Sequence, residues 1–519
     1  MCRAGRSTAL VPSPRWLPDR PRAGSLDLAL RTVLAGPARE IARWTIDLSV
    51  DLTARLSADL SVDLTVVANR LPVERLRSRW VVSPGGLVAA LEPVMRERRA
   101  AWVGWPGGSA SGLPSTSPRG IRLVPVPLGD DEVRDYYHGM SNGTLWPLFH
   151  DRIRLPTFHR HWWHCYQTVN DRFAGLAAQT AGPGGTVWVH DYQLALVPRR
   201  LRELRPDVRI GLFLHIPFPS PDLFAQLPWR AELLRGLLGA DALGFQTRQD
   251  ADHFRAAACS LAGAWRTRGG LVHGGRPIRV DALPIGIDTD NIVALARAEN
   301  TLNKMAEIRG LLEGRRLFLG VDRMDYTKGI RPRLRAFETL LQRRPDLAEH
   351  AVFLQVAVPS REMALNYAAT RGEIEQLVGS INGRYARLGR VPVQYQYARL
   401  DIDELVAYYR AADIMVVTPP RDGMNLVALE FVTARVRNLG VLILSEFAGA
   451  ARHLRQALLV NPYDVDGVAD AYERALDMPE SEQRRRMRAL RTAAQRQDVH
   501  DWARRALDAI TAPAPGTTA

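Results

Sequence analysis

Short runs of consecutive apolar residues recur along the chain, and each is followed by polar or glycine-rich residues and then by helical spacing. Such runs are typical of strands buried in a parallel sheet. The first series lies at 64–68, 102–105, 186–190, 210–214 and 242–245, and the second at 317–321, 352–356, 392–395, 414–417, 441–444 and 457–460. The pattern predicts doubly wound α/β folds, in which ligands bind at the carboxyl ends of the strands.

The two series are separated by residues 281–287, which we interpret as a crossover between domains. We therefore predict two Rossmann-like domains facing a central cleft, at 64–283 and 284–490. Helical spacing continues at 465–478 and 481–510. We expect a helix within 491–519 to pack back onto the N-terminal domain, ahead of a frayed tail.

Residues 1–63 differ from the rest. They are rich in Pro and Arg at first, and then residues 47–53 nearly recur as residues 59–65. A repeat this short builds no core, so we expect a disordered extension. An added strand and a misassigned start remain alternatives.

Composition narrows the class of protein. With 519 residues and 46% hydrophobic residues, the chain is long enough for two cored domains. It has no apolar run of about 18 residues and no apolar segment of the secretory type, so we expect no membrane association. Its three cysteines, Cys2, Cys165 and Cys259, are scattered, which favours a reducing, cytoplasmic location.

The net charge of +14 comes almost entirely from arginine, since Lys304 and Lys328 are the only lysines. This bias makes the charge weak evidence for a nucleic-acid partner, and we expect none. It also draws attention to Lys328, where a compact point charge stands in a chain that otherwise uses Arg.

The stretch from Thr418 to Glu430 joins a predicted strand to a predicted helix at 426–436 through a Pro-Pro-Arg-Asp-Gly-Met-Asn turn. Free backbone N–H groups at the start of such a helix form an anion site suited to a diphosphate. Glu430, near the first turn, is suited to hold sugar or ribose hydroxyls. The alternative is a plain strand-to-helix turn capped by Asp422.

A second charged turn follows the strand at 317–321. Arg323 and Lys328 lie five residues apart across it and are suited to converge on one diphosphate, the first as a fork and the second as a point charge. The alternative is a solvated loop in which Asp322 and Asp325 pair with these two bases.

Candidate acceptor residues are more scattered. Arg70 and Arg361 each follow a predicted strand and suit a sugar phosphate, although surface arginines are abundant here. Tyr137 and Trp146 offer flat faces for sugar rings, but aromatic residues near a Pro turn more often serve packing.

Further candidates are polar residues at strand ends and turns. Asp191 is suited to hold an acceptor hydroxyl, and His215 either donates to a sugar hydroxyl or is a satisfied loop histidine. Gly85 and Gly86 form a glycine turn before a helix that extends to about residue 99. Asp288 begins an Asp-Thr-Asp sequence that resembles a metal motif, but it directly precedes a helical stretch, so we interpret it as an N-cap.

Taken together, these motifs resemble the trehalose-6-phosphate synthase family, retaining glycosyltransferases of the GT-B architecture. The resemblance spans residues 66–507. It rests on the ordered segments 68–72, 85–87, 141–142, 145–147, 190–192, 214–219, 322–329, 421–426, 445–450 and 460–463.

The resemblance implies transfer of glucose from a nucleoside diphosphate glucose, usually UDP-glucose, to glucose 6-phosphate, giving α,α-trehalose 6-phosphate without a metal or other cofactor. It assigns acceptor binding to Arg70, Tyr137, Trp146, Asp191 and Arg361. It assigns donor binding to Gly85, Gly86, His215, Arg323, Lys328, Leu400, Asp422, Gly423, Met424, Asn425, Leu426, Val427, Ala428, Leu429 and Glu430. The set assigned to catalysis is Asp191, His215, Arg323, Lys328 and Glu430.

The chain departs from the family at Leu429, where relatives carry Lys, at Gln193, where many have His, and at Met324, which replaces a common Leu. Because of Leu429 and the unusual N-terminus, a non-catalytic sugar-phosphate sensor on the same fold is the alternative function. The sequence leaves nucleotide preference open, and a homo-oligomer is compatible with it.

Overall fold

The structure is a computed structural model that describes residues 62–76, 79–83, 86–151, 153–359 and 365–512. Almost all of the predicted extension at 1–63 lies outside the described residues, as do Gly85 and Arg361. Among the described residues, no helix combines the length and apolar character needed to cross a membrane.

A nine-stranded sheet forms the N-terminal domain, with strand order β5-β4-β1-β6-β7-β8-β11-β10-β9. Neighbours from β5 to β11 are parallel, whereas β10 pairs antiparallel with both β9 and β11. A separate antiparallel hairpin is formed by β2 and β3. The strands are β1 Val62–Arg70, β2 Val73–Leu76, β3 Arg79–Val82, β4 Ala100–Trp105, β5 Arg122–Pro125, β6 Ala181–His190, β7 Arg209–Phe213, β8 Ala242–Phe245, β9 Trp265–Thr267, β10 Gly270–His273 and β11 Arg276–Ala282.

The C-terminal domain contains a six-stranded sheet, parallel throughout, with strand order β14-β13-β12-β15-β16-β17. Its aromatic core includes Phe318, Phe337, Phe353 and Tyr472, whose rings pack against one another. The strands are β12 Arg316–Arg323, β13 Ala351–Val358, β14 Val393–Tyr397, β15 Ile414–Val417, β16 Val441–Ser445 and β17 Leu458–Val460.

Helices connect the strands on both faces of each sheet. Those between the strands of the first domain are Gly86–Arg96, Asp130–Glu132, the π-helix Val133–Leu145, Trp146–Phe149, Arg160–Thr180, the 3-10 turn Tyr192–Leu194, Val197–Leu204, Pro221–Phe224, Arg230–Leu237 and Arg248–Ala262. Later in the chain come Thr289–Arg297, Glu299–Leu312, the 3-10 turn Tyr326–Lys328, Ile330–Arg343, Leu347–His350, Leu365–Tyr385, Ile402–Ala411, Leu426–Ala434, the 3-10 turn Gly449–Arg452, Val465–Leu476, Glu480–Gln495 and Val499–Thr511.

The predicted fold class is confirmed, since every predicted apolar run is a strand of one of the two main sheets. One strand was not predicted. Residues 276–282 form β11, which pairs parallel with β8 and overlaps the first two residues of the predicted crossover at 281–287. The polar character of Arg276–Ala282 concealed this strand, because only alternate positions are buried.

The end of the chain returns to the N-terminal domain. The predicted helical stretch at 481–510 is two helices, and the second, Val499–Thr511, packs on the first sheet. Trp502 Nε1 donates to the carbonyl of Leu283 at 3.1 Å, and the indole rings of Trp502 and Trp188 lie 5.2 Å apart. Ile510 packs so closely on Gly211 that a Cβ there would come within 2.2 Å of it. The last helix therefore completes the core of the first domain.

Candidate functional site

The carboxyl ends of the two sheets meet at a cleft. Gly423 follows β15, and a Cβ at this position would lie 2.1 Å from the carbonyl oxygen of His215, which follows β7. No side chain larger than that of glycine fits at this contact. The turn at 419–425 is thus pressed against the strand ends of the opposite domain.

Arg421, in the same turn, links the domains electrostatically. Its Nε lies 3.2 Å from Asp151 Oδ2, and its Nη2 lies 3.4 Å from Asp250 Oδ1. Arg452 adds a bond from Nη2 to Gln249 Oε1 at 3.0 Å. These contacts fix the relative position of the two halves of the cleft.

The helix Leu426–Ala434 begins in this turn. Its N-cap is Asn425, which adopts a φ of 74° and accepts a hydrogen bond at Oδ1 from Ala428 N at 3.2 Å. The alternative in which Asp422 caps the helix is therefore wrong. Asparagine tolerates the left-handed conformation better than most residues, which explains its presence at this strained position. The first turn of the helix faces the cleft, with N–H groups that have no partner within the helix.

Asp422 instead pairs with Lys328, whose Nζ lies 2.7 Å from Oδ2, and both side chains are nearly buried. Burial alone raises the pKa of Asp422, but the charge and hydrogen bond of Lys328, with a further bond from Asn425 Nδ2 at 3.0 Å, hold it below its usual range. Asp422 is therefore ionised at neutral pH.

The two acids of the β12 turn do not form a solvated loop with its bases. Asp322 is buried against the guanidinium of Arg333. Asp325 accepts hydrogen bonds from Thr327 N at 3.0 Å and from Tyr367 Oη at 2.9 Å. Both carboxylates thus brace the turn from within.

Arg323 ends β12 and reaches the opposite domain. Its side chain is exposed, and its Cζ lies 5.5 Å from the ring of Trp146, a buried residue of the N-terminal domain. Among the described residues, no carboxylate forms an ion pair with Arg323. Its guanidinium therefore offers an uncompensated positive charge to the cleft.

Glu430 lies one helical turn beyond the cap. Tyr409 Oη donates to its Oε2 at 2.9 Å. Burial raises the pKa of Glu430, and the bond from Tyr409 opposes this only in part. Glu430, Leu400 and Leu426 line a cavity of about 430 Å³ between the domains. Asp288 and Asn291 also line it, and its walls from the N-terminal domain include Val82, Ser83, Val88, Glu92 and Arg119.

Two histidines face each other at the ends of β6 and β7. His190 Nδ1 lies 3.1 Å from His215 Nε2. Burial lowers the pKa of His215 to about 3, and burial with the neighbouring ring lowers that of His190 well below its usual value. Both rings are therefore neutral at physiological pH. Asp191, with a φ of 74°, accepts the backbone N–H of His215 at 3.1 Å and so fixes the strand ends.

The predicted acceptor residues of the first domain lie near one another. Arg70 Cζ lies 4.7 Å from the ring of Trp105, and that ring lies 5.7 Å from the ring of Tyr137. Trp146 is in the same domain, beneath Arg323. Gly86 opens the helix Gly86–Arg96, whereas Gly85 and Arg361 lie outside the described residues.

Several of the predicted donor residues have side chains in the core. Met424 is 3% exposed, and Ala428 and Leu429 are 0% exposed. These residues can therefore offer only backbone groups to a ligand. Of the departures from the family, Leu429 packs within the domain core, and Gln193 and Met324 are buried as well. Asn425, Leu426 and Val427 are half-buried on the cleft side.

Sequence reasoning gave no role to four residues that the fold brings to the site: Arg421, Tyr409, His190 and His150. His150 is fully buried, with Nδ1 2.8 Å from the carbonyl of Trp146, and burial lowers its pKa to about 4. Arg421 and His190 lie within the segments 421–426 and 190–192, on which the family resemblance rests. Their place in these segments could have indicated a role at the site. Tyr409 lies on helix Ile402–Ala411 and His150 directly follows helix Trp146–Phe149, and neither position carries such a signal.

Among the described residues, no group of three or more His, Cys, Asp or Glu side chains is placed to hold a metal ion. The interpretation of Asp288 as an N-cap is confirmed, since its Oδ1 accepts from Asn291 N at 2.9 Å.

Two Rossmann-like domains that meet at their strand ends around a cationic cleft define the GT-B class of glycosyltransferases. The sequence profile of glycosyltransferase family 20 matches residues 60–512. The chain therefore belongs to glycosyltransferase family 20, among the trehalose-6-phosphate synthases, and is an enzyme.

Similar proteins and solved structures support this family assignment. The trehalose-6-phosphate synthase of Mycolicibacterium gilvum is 49% identical over 471 residues, covering 87% of this chain and 94% of the relative. A solved α,α-trehalose-phosphate synthase (UDP-forming) from Burkholderia xenovorans, in complex with glucose 6-phosphate, is 36% identical, with a TM-score of 0.80 over 86% of this chain and 100% of the other. An E. coli structure bound with UDP-2-fluoro glucose is 34% identical, with a TM-score of 0.80 over 87% and 99% of the two chains.

Proposed function

We propose that this enzyme transfers glucose from UDP-glucose to glucose 6-phosphate with retention, giving α,α-trehalose 6-phosphate and UDP. The observation that carries the proposal is the meeting, at one cleft, of Arg323, Lys328 and the start of the helix Leu426–Ala434. The glucose 6-phosphate and the UDP-glucose analogue in the two solved relatives support the choice of substrates.

On the donor side, the diphosphate binds between Arg323, Lys328 and the helix N–H groups, because all three favour negative charge. Glu430 holds the ribose, and the cavity beside Leu400 receives the base. The backbone from Gly423 to Leu429 faces the glucose and diphosphate, and at Met424, Ala428 and Leu429 the buried side chains leave only main-chain groups.

On the acceptor side, Arg70 and Arg361 bind the phosphate of glucose 6-phosphate. Tyr137 and Trp146 contact its sugar ring, and Asp191 holds a hydroxyl. Because Arg323 lies over Trp146 at 5.5 Å, the acceptor and the departing diphosphate come together at this point. Contacts across the cleft, such as those of Arg421, keep the two substrates aligned.

In the reaction, the bond between the anomeric carbon and the diphosphate oxygen breaks, and the acceptor hydroxyl bonds to the anomeric carbon on the same face. The hydroxyl proton passes to the departing phosphate oxygen. Negative charge grows on the diphosphate as the bond breaks, so fixed cations stabilise the transition state more than the bound substrate. Arg323 contributes most, because the charge of Lys328 is already balanced by Asp422.

His215 donates to a donor-sugar hydroxyl from Nδ1, and His190 sets this tautomer. His190 Nε2 is buried and has no hydrogen-bond partner among the residues that the structure describes. A buried N–H left unpaired is rarer than an unpaired acceptor, so Nε2 carries no proton and Nδ1 carries it. His190 then donates to His215 Nε2, which leaves the proton of His215 on Nδ1.

The enzyme acts in the cytoplasm, in keeping with the free thiols of Cys165 and Cys259. Every group named above except Arg361 is a described residue of a single chain. The proposed reaction therefore needs no residue from a second copy of the chain.

The test is a transfer assay with purified enzyme, glucose 6-phosphate and a panel of UDP-, ADP- and GDP-glucose, with nuclear magnetic resonance of the product to assign its anomeric configuration. We expect α,α-linked product, with UDP-glucose the best donor. Absence of transfer from all three donors, alongside calorimetric binding of glucose 6-phosphate, would instead favour the sensor. An inverted linkage would exclude retention.

A further inference from the structure

We propose that the C-terminal domain carries a second anion site, built by Arg410, Arg437 and Arg491, for a small phosphate-bearing molecule. We call these residues the arginine cluster. They lie at the amino edge of the second sheet, since Arg410 precedes β15 and Arg437 precedes β16. The cleft lies at the opposite, carboxyl edge, so the two sites are distinct.

The backbone around the cluster is fixed by hydrogen bonds. Arg435 is buried and donates from Nη1 to the carbonyls of Tyr409 at 2.8 Å and Arg410 at 2.6 Å. Arg491 Nη1 donates to Asn438 Oδ1 at 3.0 Å, and Arg484 Nη1 donates to the carbonyl of Arg437 at 3.3 Å. Helix Ile402–Ala411, the segment at 435–440 and helix Glu480–Gln495 are thereby held against one another.

The cluster contains charge that no described residue compensates. Arg410 is only 9% exposed, yet its Nε is buried without a hydrogen-bond partner among the described residues, and the same holds for Arg491 Nε. Burial lowers the pKa of both, and the neighbouring charges that lower it further are also guanidiniums: Arg437 and Arg491 for Arg410, and Arg297 for Arg491. Among the described residues, no carboxylate pairs with either side chain.

Two other arginines of this domain pair with carboxylates, whereas the buried Arg315 and Arg435 have only backbone carbonyls as partners among the described residues. Arg333 pairs with Asp322, and Arg309 pairs with Asp413 at 3.0 Å. Leaving a buried charge without a partner is costly, so such an arrangement persists in proteins when something else supplies the opposite charge. At the arginine cluster, the missing partner is an anion.

Phosphate is the anion that this chemistry favours. A guanidinium presents its N–H groups in a planar fork that matches two phosphate oxygens, and several forks together suit a multiply charged group. The exposed face of helix Glu480–Gln495 adds further positive charge, from Arg484, Arg485 and Arg488 and from Arg496 directly after the helix.

The test compares the wild-type enzyme with Arg410→Met, which keeps the length of the side chain and removes its charge. Calorimetric titrations use pyrophosphate, inorganic phosphate and glucose 6-phosphate in separate arms. The cleft contributes equally to both proteins, so we expect Arg410→Met to bind one equivalent fewer of at least one anion. The control is Arg343→Met, which removes an exposed arginine paired with Asp466 and Asp470; it should bind as wild type does.

Thermal unfolding gives a second measurement. In anion-free buffer, the Tm of Arg410→Met should be no lower than that of wild type, because the variant loses an unpaired buried charge. Addition of pyrophosphate should raise the Tm of wild type by more than it raises the Tm of Arg410→Met. For the binding that Arg410→Met loses, higher affinity for glucose 6-phosphate than for inorganic phosphate would identify the ligand as a sugar phosphate, and equal affinity would identify the phosphate group alone.

Equal stoichiometry in wild type and Arg410→Met would overturn the proposal. So would a loss of self-association in Arg410→Met with unchanged anion binding, since the cluster would then receive carboxylates of a second copy. If Arg410→Met fails to fold, Arg491→Met takes its place with the same readouts.

Discussion

Lys328 and Asp422 form a nearly buried ion pair that joins the turns after β12 and β15, with Nζ 2.7 Å from Oδ2. The side chains are 11% and 12% exposed. The pair therefore serves two purposes at once. It fixes the two turns that surround the proposed diphosphate site, and it reduces the positive charge that Lys328 presents to the donor.

We expect Lys328→Met to lose stability as well as activity, because it leaves the Asp422 carboxylate buried without a counter-charge. Breaking a buried pair on one side costs about 3–5 kcal/mol. The double variant Lys328→Met with Asp422→Asn should recover most of the stability and none of the activity. Urea unfolding and turnover measure the two effects. A single variant as stable as wild type would contradict this account of the pair.

Arg323→Met should remove catalysis while the fold is kept, because Arg323 is exposed and forms no ion pair with a described residue. Loss of one fixed group that stabilises transition-state charge typically costs about 10²–10³ in kcat. Steady-state kinetics with varied UDP-glucose measure this loss. Arg331→Met, an exposed arginine paired with Glu373 at 3.3 Å, is the matched control. Normal turnover in Arg323→Met would refute the role given to Arg323.

His190→Asn should keep most of the activity, because the amide N–H of Asn can still donate to His215 Nε2. His190→Leu should lose about tenfold in kcat/KM, the effect of one lost hydrogen bond on the positioning of His215. In ¹⁵N spectra of histidine-labelled enzyme, His215 should be the Nδ1–H tautomer in wild type and in His190→Asn. An Nε2–H signal in wild type would exclude this proton arrangement.

Stability should fall as the pH is lowered from 7.5 to 5. His150 and His215 have folded-state pKa values of about 4 and about 3, below the unfolded value of about 6.5. The unfolded chain therefore binds protons first, and stability present above pH 6.5 is lost as pH falls towards the folded values. Each histidine contributes about 2 kcal/mol of this loss at pH 5.

Urea unfolding at the two pH values measures the loss, with His150→Gln as the comparison. This variant should show a smaller change between pH 7.5 and 5 than wild type does. The same change in both proteins would rule out His150 as a source of the pH dependence.

Much of the fold was predictable, because a buried strand appears in the sequence as a short run of consecutive apolar residues. The run at 414–417 coincides with β15, and the run at 242–245 coincides with β8. Strands of mixed polarity, such as β11, contain no such apolar run and were not predicted. At the site, the sequence located the charged turns correctly, but it offered Asp322 and Asp325 as partners for their bases and Asp422 as a cap.

The sequence by itself determined the two sheets, the turns that carry Arg323, Lys328 and Glu430, and the family resemblance, because apolar periodicity and turn chemistry depend on residues close together in the chain. Only the tertiary structure decided that Lys328 pairs with Asp422, 94 residues away, and that no carboxylate of the described residues pairs with the arginine cluster. Partners of buried charges are chosen by packing between distant segments, and no local pattern encodes that choice.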